Sequence, residues 1–283
     1  MFVPFCLKKL WPLLVLLPLC EGAAAQEASA WSEGHQSRVR LLAGGGDGAS
    51  RLAGVQLALQ PGFKTYWRNP GESGLPPTFD WSKSTNVAAI DVLWPAPTRS
   101  EDAGGVSYGY SDGVILPLRV RPRDPGQPVT LALKIDYGVC KDICIPAQAE
   151  LSLVLAKDAA PSTQGVIREA LARVPRPQAP GVGGLSVIGA EPMTDGDKRG
   201  LTVTVRAAAA PRLFVEAPDN WFLLPAAAPR HVGTGAQAKY VFDVPVLERP
   251  RDATGAVELR FTVVAGNEAV ETPISIDAAR LSR

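Results

Sequence analysis

Residues 129–139 read VTLALKIDYGV. Leu131, Leu133, Ile135 and Tyr137 fall on one face of an extended chain, with Thr130, Ala132, Lys134 and Asp136 opposite them. Side chains alternate with a period of two along a strand, so the stretch predicts a β-strand with one buried face. Its neighbours have the same texture. Glu150 to Ala156 reads as a further strand, Val114 to Val120 as a compact apolar one, and Ser50 to Gln60 (SRLAGVQLALQ) alternates in part. From about Gly34 to Ala156 the chain is a series of short apolar stretches punctuated by Gly and Pro. Many short strands with turn signals and almost no helical periodicity predict an all-β sandwich. Gly44-Gly45-Gly46 precedes no helix and is read as a loop.

Thr163 to Val174 departs from this texture. Val166, Ile167, Ala170, Leu171 and Val174 fall at helical spacing and predict one short amphipathic helix, ended by Pro175. Residues 175–184 (PRPQAPGVGG) then form a Pro/Gly-rich linker. Strands resume beyond it at Leu201 to Arg206, Arg212 to Glu216, Lys239 to Val246, Val257 to Ala265 and Ala269 to Ile276. Gly266-Asn267 between the last two is a hairpin signal. The expected organisation is an N-terminal leader at 1–25, a β-sandwich at 26–160, helix and linker at 161–184, and a second β-sandwich at 185–283.

The leader reading rests on Lys8 and Lys9, the apolar run Leu10 to Leu19, and the small residues Ala23 to Ala25. The run is broken by Pro12 and Pro18 and is too short for a spanning helix, which needs about 20 apolar residues. Secretion is therefore expected, into a compartment that permits disulfides, with no stable membrane insertion afterwards. The whole chain has 29 basic and 28 acidic residues in 283; without the leader the numbers are 27 and 27. That balance leaves no positive excess for gripping nucleic acid, and 46% hydrophobic residues exclude a disordered chain.

Four cysteines in the chain become two once Cys6 and Cys20 leave with the leader. Cys140 and Cys144 remain, in Tyr137 to Pro146 (YGVCKDICIP). In one straight strand their Cα atoms would lie about 13 Å apart, beyond the roughly 7 Å limit of a disulfide. The preceding strand ends at Val139 and the next apolar run begins at Ile145, so Lys141-Asp142-Ile143 is read as a hairpin tip with the cysteines facing each other at its neck. Closing so small a ring stabilises a chain by only about 2 kcal/mol. Three roles stay open on spacing alone: a redox pair, a structural staple, or a Cu(I) site made by the thiolates of Cys140 and Cys144. Lys141 beside Cys140 would stabilise a thiolate and Asp142 would oppose it. Further metal ligands are sparse, since only His35, His231 and Met193 are added and none is near in sequence. No cofactor motif, nucleophile elbow or phosphate-binding turn is present.

Several blocks, in order, resemble the periplasmic N-terminal region of the DsbD/ScsB family of thiol:disulfide interchange proteins. They are Trp67 to Pro77 (WRNPGESGLPP), Trp94 to Pro97 (WPAP), Tyr108-Gly-Tyr110, Leu116-Pro117 and Tyr137 to Pro146. The resemblance covers about residues 35–156. It implies an immunoglobulin-like sandwich whose cysteine pair, matched here by Cys140 and Cys144, takes electrons from a membrane-embedded thiol carrier and passes them to thioredoxin-like periplasmic proteins. On that footing the chain is a protein-disulfide reductase component without a cofactor. Cys144, which opens the outgoing strand, is favoured as the sulfur that bonds to partners. The C-x3-C spacing is like that of the ScsB branch. Longer members of the family continue into a membrane domain and a thioredoxin-like domain; with the sequence ending at Arg283, a separate electron donor is expected. In DsbD a cap loop with an aromatic shields the pair. The corresponding stretch, Glu101 to Gly105, has none, so Tyr108 or Tyr110 is either a substitute shield or ordinary sandwich packing. The Trp67 to Pro77 block is read as turn chemistry around a core tryptophan, with a rim of the cysteine hairpin as the other reading.

Overall fold

A computed structural model describes residues 26–47, 49–102, 104–156, 162–193, 199–233, 238–250 and 253–281. The expected leader, residues 1–25, lies outside the described residues. The first unit contains β1 (Ser32–Gly34), β2 (Ser37–Asp47), β3 (Ser50–Leu59), β4 (Lys64–Gly71), β5 (Thr78–Asp80), β6 (Val87–Val92), β7 (Thr98–Asp102), β8 (Gly105–Ser111), β9 (Gly113–Pro122), β10 (Val129–Cys140) and β11 (Cys144–Leu155). One sheet runs β1-β2-β3-β9-β6; the other runs β11-β10-β4-β8-β7, with β5 also paired to β10. The alternation in 129–139 is obeyed: Leu131, Leu133, Ile135 and Tyr137 are buried and Lys134 is exposed. They meet Leu41, Val55 and Leu118 of the facing sheet, and each such aliphatic side chain removed from water contributes about 1.5–3 kcal/mol.

The glycine run 44–46 is not a loop. It lies inside β2, where the register with β3 shifts between Ala43 and Gly45. A Cβ on Gly44 would stand 2.7 Å from that of Leu52, so the strands approach more closely than a side chain allows, and the glycines serve a bulge.

The expected helix is present as α1 (Gln164–Ala172), which lays Ile167 on Leu42 and Leu52 on the outside of the first sheet. The linker is less free than its composition suggests. Within it β12 (Arg176–Pro177) runs parallel to β20 (Glu268–Asp277), and the backbone N–H of Gln178 donates to the carbonyl of Glu271. The second unit adds β13 (Ser186–Pro192), β14 (Gly200–Arg206), β15 (Arg212–Glu216), β16 (Phe222–Leu223), β17 (Arg230–Val232), β18 (Lys239–Glu248) and β19 (Ala256–Ala265). One sheet is β12-β20-β19-β15 and the other β13-β14-β18-β16, with β17 also on β18. Its own core holds Val203, Val244, Leu259 and Phe261. The hairpin turn at Gly266-Asn267 falls where its sequence signal stood.

The molecule is therefore all-β, two immunoglobulin-like sandwiches joined by a short helix and linker. The sandwiches share a seam. Phe214 of β15 is fully buried and completes the core of the first unit, its ring edge-on to Trp67 at 5.8 Å and to Tyr108 at 4.8 Å. No helix among the described residues is long and apolar enough to cross a membrane.

Candidate functional site

Strands β10 and β11 pair from Val129↔Leu155 to Cys140↔Cys144, leaving Lys141, Asp142 and Ile143 to turn the chain. The hairpin tip expected from the spacing is thus present. Directly opposed residues of an antiparallel pair approach to about 4.5 Å or 5.5 Å, well inside disulfide reach. The two Cα atoms are 4.2 Å apart and the sulfurs are joined.

Parity then decides which way the bond faces. Cys140 lies an even number of residues from Lys134 and Asp136, so it points away from the core that holds Tyr137 and Val139. An outward sulfur would be open to water, but Cys140 is only 1% exposed, whereas Cys144 is exposed. The pair is half covered, and the cover comes from the β4–β5 segment. Strand β4 meets β10 at Cys140↔Lys64 and β5 meets it at Asp136↔Thr78, so the intervening residues 72–77 cross the outer face beside Gly138. The Gly138 N–H donates to the Leu75 carbonyl at 3.2 Å.

Under that crossing lies Tyr66, 2% exposed, with its hydroxyl 2.9 Å from Cys144 Sγ. Burial pushes the phenol pKa up, and the carboxylate of Asp102 adds to the shift. The Tyr66 ring runs between two glycines. A Cβ on Gly138 would stand 2.8 Å from Leu75 Cβ and 3.2 Å from Tyr66 Cδ2, while one on Gly74, at φ +142°, would run into the ring itself. The crossing is braced from behind. The Glu72 carboxylate accepts from the Val106 N–H at 2.6 Å, and Ser73 Oγ donates to the Gly104 carbonyl at 3.2 Å. Lys64 Nζ donates to Asp102 Oδ2 at 2.7 Å and to Ser107 Oγ at 2.8 Å, and stands 6.0 Å from the Tyr66 ring centre.

This cover has a direct consequence for Gly138→Ala. The new methyl displaces Leu75 and the Tyr66 ring, with a loss of about 1–3 kcal/mol of stability from overpacking. Reduction of the disulfide by dithiothreitol is expected to speed up in the variant, read by alkylating the released thiols over time; an unchanged rate would mean that the crossing does not shield the bond.

The remaining residues singled out in the sequence have different fates. Lys141 and Asp142 are exposed at the tip, with Lys141 Nζ 5.8 Å from the Phe63 ring centre, and Ile143 between them and Cys144 is 75% exposed. Tyr108 and Tyr110 do not substitute as a shield. The register of β8 sets Tyr110 opposite Thr65 and Gly109 opposite Tyr66, so both tyrosines point into the core and the cysteine face receives only Gly109 and Ser107. Tyr108 packs on Phe214, where burial pushes its pKa up to about 12, and the Tyr110 hydroxyl donates to the Pro95 carbonyl at 2.7 Å. In the stretch expected to cap the pair, Asp102 is set opposite Gly105 and the Gly104 carbonyl accepts from Ser73 Oγ, which braces the crossing. Of the two readings of Trp67 to Pro77, rim and turn chemistry are both realised. The aromatic at the disulfide is Tyr66, one residue before that block, and its place beside Trp67 in an alternating strand was the available signal. His35 stands edge-on to Phe63, and His231 tilts against Tyr240; both are exposed.

Residues 37–156 match the family described as thiol:disulfide interchange protein DsbD, N-terminal. This segment is a DsbD N-terminal domain. Over a longer stretch the fold is similar to the crystal structure of the N-terminal periplasmic domain of ScsB from Proteus mirabilis, with a TM-score of 0.66 and 23% identity over 89% of this chain and 99% of that one. That likeness extends the shared fold beyond the DsbD N-terminal domain into the second sandwich. A comparison with curated protein sequences gives no match.

Proposed function

We propose that the DsbD N-terminal domain of this chain, residues 26–160, is a periplasmic thiol–disulfide exchange unit. It receives electrons from a membrane-embedded thiol carrier of the DsbD/ScsB type and passes them to thioredoxin-like proteins through Cys140 and Cys144. In this reading residues 161–184 connect it to a second domain at 185–283. The observation that carries the proposal is the asymmetry of the pair: a sulfur buried at 1% exposure bonded to an exposed neighbour across a hairpin neck. A staple has little to do there, because the paired strands of the hairpin already hold the two residues together and the ring closure contributes about 2 kcal/mol at most.

In the reduced state the Cys144 thiolate attacks one sulfur of a partner disulfide, forming a Cys144–partner bond and releasing the other partner sulfur as a thiolate. Cys140, after losing its proton, then attacks Cys144 Sγ. That step forms the Cys140–Cys144 bond and releases the second partner thiolate, so two electrons have moved to the partner. Recharging runs the same two steps in reverse with a carrier dithiol. Tyr66, whose hydroxyl touches Cys144 Sγ, donates a hydrogen bond to the thiolate and favours its formation.

The test is direct transfer. The reduced protein mixed with an equimolar oxidised thioredoxin-fold protein at neutral pH is expected to lose both thiols while the partner gains two, followed by alkylation and mass spectrometry. Absence of transfer over hours in a protein that stays folded would overturn the reading.

A further inference from the structure

Strand β4 looks in two directions. Tyr66 reaches the disulfide, and the three residues after it all reach the second sandwich. Trp67 is fully buried against Phe214 of β15. Arg68 donates from Nε to Glu216 Oε1 at 2.7 Å and from Nη2 to Glu216 Oε2 at 2.6 Å, and Nη2 also binds Glu271 of β20. Asn69 Nδ2 donates to the Val215 carbonyl at 2.9 Å, while its Oδ1 accepts from the Gly71 N–H at 3.0 Å, where the chain turns toward the crossing.

These contacts fall where β4 is held least by its own sheet. Its register with β10 is the single pair Cys140↔Lys64, and its register with β8 jumps from Tyr66↔Gly109 to Gly71↔Ser107. Residues 67–70 therefore form a wide bulge whose side chains are re-aimed out of the ladder. A phenol hydroxyl held 2.9 Å from a sulfur needs a fixed backbone, and the ladder beyond Tyr66 does not supply one. The second sandwich does. Two carboxylates from different strands converge on one guanidinium whose fork fits Glu216 with two parallel bonds, and the three side chains are only 16–23% exposed. Burial works against the charge on Arg68, but the bonds and attraction from Glu216 and Glu271 outweigh it and hold the group above its ordinary pKa.

We propose that the second sandwich is a positioning device for the cysteine pair: the clamp of Arg68 on Glu216 and Glu271 fixes β4 so that the Tyr66 hydroxyl sits on Cys144. Arg68 touches neither sulfur and acts through Tyr66. The inference rests on the exchange reading, which assigns Cys144 as the attacking sulfur, and it gives the second sandwich a role in the chemistry of the first.

The experiment uses the full chain, reduced, with two readouts: the rate of Cys144 alkylation at fixed neutral pH and the fraction of the pair reduced in equilibrium with glutathione. Tyr66→Phe removes the hydrogen bond and is expected to lower the alkylation rate roughly three- to tenfold, the loss of thiolate that follows a pKa rise of about half a unit to one unit. Arg68→Met, which keeps an unbranched aliphatic side chain but removes the fork and its stacking on Trp67, is expected to lower the rate similarly and, with the thiolate destabilised, to lower the fraction reduced. The double variant is expected to be no slower than Tyr66→Phe alone, because both changes break one chain of contacts. Should Arg68→Met fail to fold, Glu216→Gln with Glu271→Gln removes the charges at nearly constant volume and is read the same way. A folded clamp variant with the wild-type alkylation rate and glutathione equilibrium, beside a slowed Tyr66→Phe, would overturn the positioning role and leave the exchange reading intact. Effects that multiply in the double variant would overturn it too. Failure of the exchange reading looks different: the wild type itself transfers no electrons.

Discussion

Cys140→Ser is expected to accumulate a stable mixed disulfide with an oxidised thioredoxin-fold protein, and Cys144→Ser to trap none. The exposed Cys144 remains free to attack in the first variant, and the sulfur that would resolve the adduct is gone. In the second variant the remaining cysteine is 1% exposed, across the ladder from Lys64 of β4, where a partner disulfide does not reach it. Both variants keep the register of the hairpin, and each loses at most the roughly 2 kcal/mol of ring closure, so the contrast reports access and not folding. Adducts are read on non-reducing gels and by mass. Equal trapping by both variants would mean that burial does not choose the attacking sulfur.

Phe214→Ala is expected to be the most damaging change outside the hairpin. Its ring is fully buried and completes the core of the other sandwich against Trp67 and Tyr108. Truncating a buried phenylalanine costs about 3–5 kcal/mol, because the cavity adds to the lost transfer energy. Here the cavity opens on the seam, so the loss should appear in the first sandwich, as a red shift of tryptophan fluorescence from Trp67, as well as in the denaturation midpoint. Phe222→Ala in the same sandwich, at a ring already 37% exposed, is the comparison and is expected to cost less than about 1 kcal/mol. Equal effects of the two would show that the seam contributes nothing to stability.

The hairpin that carries the pair was legible because everything that defines it is local. Alternation from Leu131 to Tyr137, the break at Cys140 and the resumption at Ile145 set two strands and a three-residue tip within one short run of sequence. Carried on to Cys140 in the folded strand, the same alternation sets it on the face of Lys134 and Asp136, outside the core. What covers them was not legible. Tyr66 meets Cys144 across 78 residues, and Arg68 meets Glu216 across 148, and neither partner carries a local mark of the other. Tyr108 and Tyr110 drew attention as aromatics in a motif, yet which face a strand residue takes follows from register with its neighbour, and Thr65 and Tyr66 decide that from another strand. The glycines at 44–46 misled for the opposite reason. Glycine marks turns, but it equally permits a bulge where two strands approach too closely for a Cβ, and the close neighbour, Leu52, shows only in the folded pair. The linker likewise has the composition of a free connector, while Arg176 and Pro177 find an edge on β20 that no local pattern announces.

The central claim is that Cys140 and Cys144 exchange electrons with other proteins, and the equilibrium reduction potential of the pair tests it most directly. Measured against glutathione or dithiothreitol redox buffers by thiol alkylation, it is expected above about −300 mV, in the range of bonds that turn over by exchange. A potential well below about −300 mV would mark a bond that stays closed and would contradict the account.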